Sequence, residues 1–362
     1  MKVALIHNYL IECLTCSIGF GIFITNFQKD KSLSMYFKKA TAGRNNIVWY
    51  VLGIMAVLVG YIIGQMPMFL VQYYKIESDK DIGTEDVTKF QETLDFSLLN
   101  IDKNVGFILM ILIFVFAMLA FMLAIKYFHR RPFKNLITPN SKINYQKILF
   151  GFGFWFVLGL VFEGIVALIY PETYYLNFKP LSWIILILIC VLFLPIQTSL
   201  EELVMRGYLM PGLSLLTNNK WIPLLLTSIL FGLIHGMNPE VEKFGFWTMQ
   251  LYYVSAGLFL GLITILDDSL ELALGVHAAT NIFGAAIFSF DGSVLQTDTI
   301  FKASSINPYV MIATFIISAV IFIFVCNNKY KWNGFERLFQ PIGEGSDENI
   351  ANELIEAIDT NA

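Results

Sequence analysis

Long apolar stretches separated by short polar segments make up the chain from residue 47 onward. A helix that crosses a bilayer needs about 20 mostly apolar residues, and eight stretches qualify or come close. They cover residues 47–72, 106–127, 147–170, 181–205, 221–237, 247–266, 271–290 and 307–326. The fifth and the seventh are the least hydrophobic. The pattern predicts an all-α fold, a polytopic transmembrane helix bundle of about eight spans without an internal repeat.

The same pattern divides the chain into five parts. These are an N-terminal segment (1–46), the N-terminal transmembrane helices (47–180), a core (181–290), the last transmembrane helix with its basic flank (291–340) and an acidic tail (341–362). In the first part, Glu12 interrupts the apolar stretch 9–27, which lacks the features of a signal peptide. We expect this stretch to be an interfacial helix, an extra span or an upstream extension. The tail has Ile and Leu at helical spacing and predicts a small cytosolic amphipathic helix.

Composition excludes a soluble protein. Of the 362 residues, 56% are hydrophobic and 14% are charged, whereas soluble domains average about 25% charged residues. The lipid bilayer is therefore an expected partner. The net charge of −4 says nothing about nucleic acid, but the lack of a basic patch with interleaved aromatic residues predicts no nucleic acid partner. Cys13 and Cys16 form a Cys-x-x-Cys that we interpret as chance spacing, and Cys190 and Cys326 are expected to pack in apolar spans.

Lysine and arginine in the short loops predict the orientation of the spans. The loop 126–147 carries six basic residues and no acid, and the loop 75–104 carries eight acids against four lysines. We therefore expect the acidic loop outside. Alternation then places Arg206, the turn 267–271 (interpreted as solvated) and the C-terminus in the cytoplasm. The prediction is a multi-pass integral membrane protein, which we place in the bacterial cell (inner) membrane.

The segment 199–206 places two adjacent carboxylates and an arginine at the end of the fourth apolar stretch. Charges in or near hydrocarbon are costly and mark candidate functional sites. Glu202 and Arg206 are four residues apart in the favourable order, so they are expected to pair on one helix face. Glu201 points about 100° away from that pair and is left for another role. Gln197, one turn earlier, is expected to help satisfy the two carboxylates.

Two of the four histidines lie within predicted spans, each with an informative neighbour one helical turn away. His235 follows Phe231, and His277 precedes Asn281, so the members of each pair share a helix face. Together with Glu201, these side chains are suitable parts for a hydrolytic site.

The residue types leave two kinds of chemistry open. A desolvated glutamate suits general-base catalysis, one histidine can share the attacking water or protonate the leaving amine, and the other histidine with Asn281 can donate to an oxyanion. Alternatively, Glu201, His235 and His277 are a common set of catalytic zinc ligands with an open fourth position. The sequence does not choose between these two, so no cofactor is certain and zinc is an alternative.

The motifs carry a family resemblance. Glu-Glu-x-x-x-Arg at 201–206, Phe-x-x-x-His at 231–235 and His-x-x-x-Asn at 277–281 occur in this order. Over about residues 181–290 the sequence thereby resembles the CAAX-processing and bacteriocin-processing (CPBP or Abi) family of intramembrane proteases. The resemblance implies an endopeptidase that acts on a membrane-associated peptide or protein, with its site in a membrane cavity open toward the cytosol.

The resemblance also implies residue roles. Glu201 would be the essential base and His235 the second catalytic group, completed by His277 and Asn281 and supported by Glu202, Arg206 and Phe231. Two other hypotheses stay open. One is a non-catalytic peptide-binding or bacteriocin self-immunity protein of the same fold. The other is an ion-coupled transporter that uses Glu163 and Glu201 as relay groups, against which the lack of repeated halves argues.

One spatial relation fits badly with straight spans. Glu201 and His277 would lie near the cytosolic ends of their helices, whereas His235 would lie about 20 Å from the start of its helix at Trp221. We therefore expect a tilted or partly re-entrant start to that helix, which Gly212 and the nearby prolines permit.

Overall fold

A computed structural model of the chain describes residues 35–217 and 219–332 together with Gly334, Phe335 and Leu338. The Cys-x-x-Cys, the apolar stretch 9–27 and the acidic tail lie outside the described residues, so what was expected of them stays a prediction.

The elements are numbered in chain order. The helices are α1 (Met35–Ala40), α2 (Ile47–Ser78), α3 (Thr84–Thr93), α4 (Lys103–Ala124), α5 (Tyr145–Ile169), α6 (Pro180–Glu202), α7 (Met210–Thr217), α8 (Trp221–Ile234), α9 (Pro239–Phe244), α10 (Phe246–Asp267), α11 (Glu271–Ile282) and α12 (Pro308–Tyr330). Segments of π-helix follow α4, α6 and α11, at Ile125–His129, Leu203–Leu209 and Phe283–Ile287. Short 3₁₀ turns lie at Phe96–Leu99, Phe133–Leu136 and Pro171–Thr173. The strands are β1 (Tyr174–Leu176), β2 (Phe288–Phe290) and β3 (Phe301–Ala303).

Six helical runs among the described residues are long and apolar enough to cross a membrane, which confirms the α-helical bundle. The predicted spans 221–237 and 271–290 are wrong as full spans, because α8 has 14 residues and α11 has 12, followed by five in the π segment. Nearly every residue of α11 is buried by protein. A helix surrounded by other helices has no need to match the thickness of the bilayer.

The fourth span extends further than its hydropathy indicated. It is one helical run of 38 residues, from Pro180 to Thr217, that continues through the charged segment. Glu201 therefore lies inside this run, 16 residues before Thr217, and His235 lies 14 residues after the start of the returning helix α8. At 1.5 Å per residue both are roughly 21 to 24 Å from the turn that joins the two helices. Counted along the chain, the two residues are thus similarly far from that turn, and the tilted or partly re-entrant start to α8 stays a prediction.

Arg206 therefore lies inside the bundle and not in a solvated loop, and its side of the membrane stays a prediction. Its side chain is fully buried, and its guanidinium carbon lies 4.6 Å from the ring centroid of Phe231 on α8. A buried arginine with a carboxylate partner can be kept inside a helix bundle, so the charges mark the interior of the bundle and not the end of a span.

Small residues bring the helices around this region into close contact. A Cβ at Gly151 of α5 would lie 2.7 Å from the carbonyl oxygen of Leu272 on α11. A Cβ at Gly257 of α10 would lie 2.9 Å from the Cα of Ser228 on α8. Backbones approach this closely only where side chains are absent. These contacts fix the heights of α11 and α8, and with them the heights of the two histidines.

A small three-stranded sheet, with the order β1-β3-β2, was missed by the hydropathy pattern. Tyr174 pairs with Ala303 in the antiparallel half, and Phe288 pairs with Phe301 in the parallel half. Strands of three residues are too short to show an alternating pattern. The sheet ties the chain after α11 to the chain before α12.

The turn after α10 is not solvated as expected. Asp267 and Glu271 are buried, the Lys147 ammonium lies 2.8 Å from an Asp267 carboxylate oxygen, and the Asn144 amide donates to Glu271 at 2.7 Å. The acids of this turn hold the start of α5 against the start of α11.

Candidate active site

The buried centre of the site is the ion pair between Glu202 and Arg206, as the spacing predicted. Arg206 Nη1 donates to Glu202 Oε1 at 2.7 Å, and Nη2 donates to the carbonyl oxygen of Gly257 on α10 at 3.0 Å. Both side chains have no exposed surface. Because losing one partner would leave a buried charge, this pair fixes the local structure.

His277 lies between the two adjacent glutamates. Its Nδ1 is 2.8 Å from Glu202 Oε1, and its Nε2 is 3.5 Å from Glu201 Oε2. A carboxylate oxygen accepts hydrogen bonds, so Nδ1 carries a proton and donates it to Glu202. Glu202 thereby orients the imidazole, which places Nε2 beside Glu201.

Glu201 is held by a second set of contacts that reaches Asn281. Gln197 Nε2 donates to Glu201 Oε1, and Asn281 Nδ2 donates to Gln197 Oε1 at 2.9 Å. Asn281 therefore reaches Glu201 through Gln197. The other carboxylate oxygen, Oε2, is buried and has no hydrogen-bond partner among the described residues. A buried acceptor without a partner is unusual and marks a candidate reactive atom.

His235 caps the end of α8. Its Nδ1 lies 2.7 Å from the carbonyl oxygen of Phe231, so Nδ1 donates and Nε2 has the free lone pair in the neutral ring. The imidazole centroid is 4.5 Å from that of Phe231 and 4.7 Å from that of Tyr253, which stacks at 27°. Asn238 in turn donates to the Tyr253 hydroxyl at 3.1 Å. The ring is thus oriented by one hydrogen bond and two aromatic contacts.

All four predicted catalytic residues line one cavity of about 300 Å³. The structure joins Glu201 to Asn281 through the Gln197 amide and places His277 Nε2 3.5 Å from Glu201 Oε2. His235 joins them at the cavity wall, and within the described chain it makes no direct bond to any of the three. The rest of the wall is mainly apolar and aromatic, which suits an apolar peptide segment.

The alternative zinc site stays a prediction. In residues 35–217 and 219–332, no group of three or more His, Cys, Asp and Glu side chains is placed to hold a metal ion. Nδ1 of each cavity histidine is engaged, by Phe231 in one case and by Glu202 in the other, which leaves Nε2 of both rings free, as in most metal-ligating histidines. We derive no step through a metal, and zinc stays an untested alternative.

Sequence reasoning missed Glu240 and Tyr253, which also line the cavity. Glu240 follows Asn-Pro in a segment typical of a solvated turn, and Tyr253 sits in an apolar helix where it resembles any core residue. Glu163, a candidate relay group, lies away from this cavity and accepts a hydrogen bond from Tyr174. This contact supports a structural hydrogen bond as the role of Glu163.

Comparison with known proteins agrees with the motifs. A family model described as type II CAAX prenyl endopeptidase Rce1-like matches residues 180–283. The uncharacterized protein YyaK of Bacillus subtilis (strain 168) is 31% identical over 283 residues, which are 77% of this chain and 91% of YyaK. No solved structure is significantly similar to the chain. The chain is therefore a multi-pass membrane protein that belongs to the Rce1-like family of CAAX-type endopeptidases.

Proposed function

We propose that this protein is an intramembrane endopeptidase that hydrolyses a peptide bond of a membrane-associated peptide or protein. The observation that carries the proposal is the buried Oε2 of Glu201, which accepts no hydrogen bond from the described residues, lies 3.5 Å from His277 Nε2 and belongs to a cavity with two oriented imidazoles. A carboxylate of this kind is a suitable general base for water in a low-dielectric site.

The chemistry follows from the unused hydrogen-bonding capacity of each group. Glu201 takes a proton from water as the water oxygen bonds to the peptide carbonyl carbon, and the carbonyl oxygen becomes an oxyanion. His235 Nε2 accepts the other hydrogen bond of the same water and orients it. Asn281 gives one N–H to Gln197 and has a second for the oxyanion. As the carbon–nitrogen bond breaks, the proton on Glu201 passes to the leaving nitrogen.

The decisive experiment compares the membrane peptides of cells that express wild-type protein, Glu201→Gln or Glu163→Gln, by mass spectrometry. Glu163→Gln is the matched control, because it is also an intramembrane glutamate and the amide oxygen can still accept from Tyr174. We expect product peptides with the wild type and the control, and none with Glu201→Gln. Identical peptides from all three strains would contradict the proposal and favour a binding or self-immunity protein.

We expect the purified protein to keep its activity after chelation with EDTA, with metal content measured in the same sample. Loss of activity that added zinc restores would contradict the metal-free mechanism and leave the peptidase assignment intact.

We also propose that the protein lies in the bacterial cell membrane with its basic end, formed by the loop 126–147, in the cytoplasm. The charge asymmetry of the loops supports this orientation. The test is labelling of Lys142→Cys and Lys80→Cys with a membrane-impermeant thiol reagent in intact cells. We expect labelling of the second variant only, and the reverse result would invert the orientation.

A further inference from the structure

The cavity contains a second glutamate whose position the hydrolytic mechanism does not use. Glu240 on α9 is 6% exposed and lines the same cavity as Glu201 and His235. Its Oε1 accepts a hydrogen bond from the Val294 amide at 2.7 Å. Its Oε2 is buried and has no hydrogen-bond partner in the part of the chain that the structure describes.

No cation of the described chain faces this carboxyl. The residues that line the cavity include two glutamates and no lysine or arginine. The nearby Lys243 on the same short helix is engaged by the Asp291 carbonyl oxygen and lies against the ring of Phe244. Arg206 is committed to Glu202. A charged carboxyl buried without a cationic partner is costly, so it either takes up a proton or gains from a cation supplied from outside the chain.

The electrostatics agree with a missing partner. Burial raises the pKa of the Glu240 carboxyl above its ordinary value, and the nearby Val294 amide and the Tyr253 and Ser293 side chains oppose that rise only in part. A cation beside Oε2 would stabilise the charged form and reverse the effect of burial.

The location of Glu240 relates it to the site of cleavage. Asn238, two residues earlier, donates to the Tyr253 hydroxyl, and Tyr253 stacks on the imidazole of His235. A group bound at Glu240 would therefore lie beside the aromatic pair that orients His235, within a few residues of the bond that is cut.

We propose that Glu240 forms a specificity subsite that binds the cationic side chain of a lysine or arginine in an otherwise apolar peptide substrate. The inference rests on the proposed peptidase function and adds to it the charge of the preferred substrate. A purely structural tether to Val294 needs only an acceptor, which a glutamine also supplies. A negative charge on Glu240 is needed only to bind the cationic side chain of the substrate.

The test separates those two roles by binding, without need of catalysis. Full-length Glu201→Gln protein in detergent micelles is exposed to a pool of nine-residue peptides of Leu, Ala and Phe with one lysine at each position in turn. A matched pool carries norleucine in place of lysine. Retained peptides are counted by mass spectrometry. We expect at least tenfold enrichment of some lysine peptides over their norleucine partners.

The same selection is repeated with Glu240→Gln and with Glu242→Gln, each in the Glu201→Gln background. Glu242 is exposed on the same helix and is the matched control. The lysine preference should fall to twofold or less in the Glu240 variant and stay in the control. A preference that persists without Glu240, or the absence of any preference in the parent, overturns the inference.

The outcome for the proposed function is read separately, from cleavage of the selected peptides by protein with Glu201 intact. Lysine selectivity without cleavage would contradict the peptidase proposal and support the subsite. Cleavage without lysine selectivity would support the peptidase proposal and contradict the subsite.

Discussion

Two buried histidine–arginine clusters in this protein have opposite properties. In the cavity, His277 and Arg206 share Glu202, and Glu201 Oε2 beside them is unpartnered. At the basic end of the bundle, His129 is fully buried, with Nδ1 2.7 Å from the Arg44 carbonyl oxygen and Nε2 2.7 Å from the Tyr208 hydroxyl.

The second cluster is largely closed, with one buried nitrogen, Arg131 Nε, that has no hydrogen-bond partner in the described chain. Arg131 donates to the Ala40 carbonyl oxygen and lies over the rings of Tyr50 and Tyr208, at 5.7 and 5.6 Å from their centroids. Both nitrogens of His129 are used. This cluster packs the start of α2 against the π segment after α6.

The comparison shows that a buried histidine beside an arginine does not by itself mark a reactive site. What distinguishes the cavity cluster is that its unused acceptor, Glu201 Oε2, belongs to a side chain that lines the cavity, whereas Arg131 does not line it. Largely closed clusters contribute to stability, because most of their buried polar groups have partners. The variants below separate the two kinds of cluster, from the largest expected effect to the smallest.

The largest effect is expected for Glu202→Ala, which removes the shared partner of Arg206 and His277. An uncompensated buried arginine should cost about 3 kcal/mol of stability, and loss of the oriented His277 should also abolish cleavage. Thermal unfolding of the purified protein and a peptide-cleavage assay measure both.

The neighbouring variant Glu201→Gln should lower the cleavage rate by roughly 10³-fold with little change in unfolding temperature. Equal destabilisation by the two would contradict the different roles of the adjacent glutamates.

A matched pair of histidine variants tests the comparison directly. His235→Ala should reduce the cleavage rate by about 10²-fold, the typical contribution of an acid–base group, while the fold is kept. His129→Gln should lower stability by about 1 to 3 kcal/mol, because a buried hydrogen-bond partner is lost, and leave the rate per folded molecule unchanged. If His129→Gln were fully stable and inactive, the closed cluster would have been misinterpreted.

A smaller effect is expected where a residue acts through another. Gln197→Ala breaks the connection from Asn281 to Glu201 and should lower kcat by roughly tenfold, less than loss of a primary acid–base group. Asn281→Ala removes the oxyanion donor as well and should lower kcat by about 10² to 10³-fold. Steady-state kinetics on one peptide would show which variant has the lower kcat. A larger decrease in kcat for Gln197→Ala than for Asn281→Ala would contradict the expected order.

The smallest effect is expected for Tyr253→Phe, which keeps the ring stacked on His235 and removes only the hydroxyl that Asn238 contacts. The rate should change by less than about threefold, because one neutral hydrogen bond contributes about 1 kcal/mol or less. Tyr253→Leu removes the stacked ring and should shift the pH profile of kcat as well as its value. An unchanged pH profile in the leucine variant would show that Tyr253 does not position His235.

Much of the site could be predicted from local spacing. Glu202 with Arg206, and His277 with Asn281, share helix faces because a helix fixes the relation of residues four apart. The partners across helices could not be predicted in this way. Asn281 meets Gln197, and His277 meets Glu202, because α6 and α11 pack against each other, a relation that the spacing within either helix does not reveal.

The sequence by itself determined the helical bundle, the membrane environment, the motif residues and the pairing within each helix. These follow from hydropathy and helical period, which are local properties of the chain. Only the tertiary structure decided where the fourth span ends, that α8 and α11 are short, and that Glu240 faces the cavity. Each of these three features depends on contacts with residues that are distant in the sequence. A hydropathy pattern predicts that a span ends at a charged residue. The helix can continue past that residue when a buried partner neutralises the charge, as Glu202 does for Arg206.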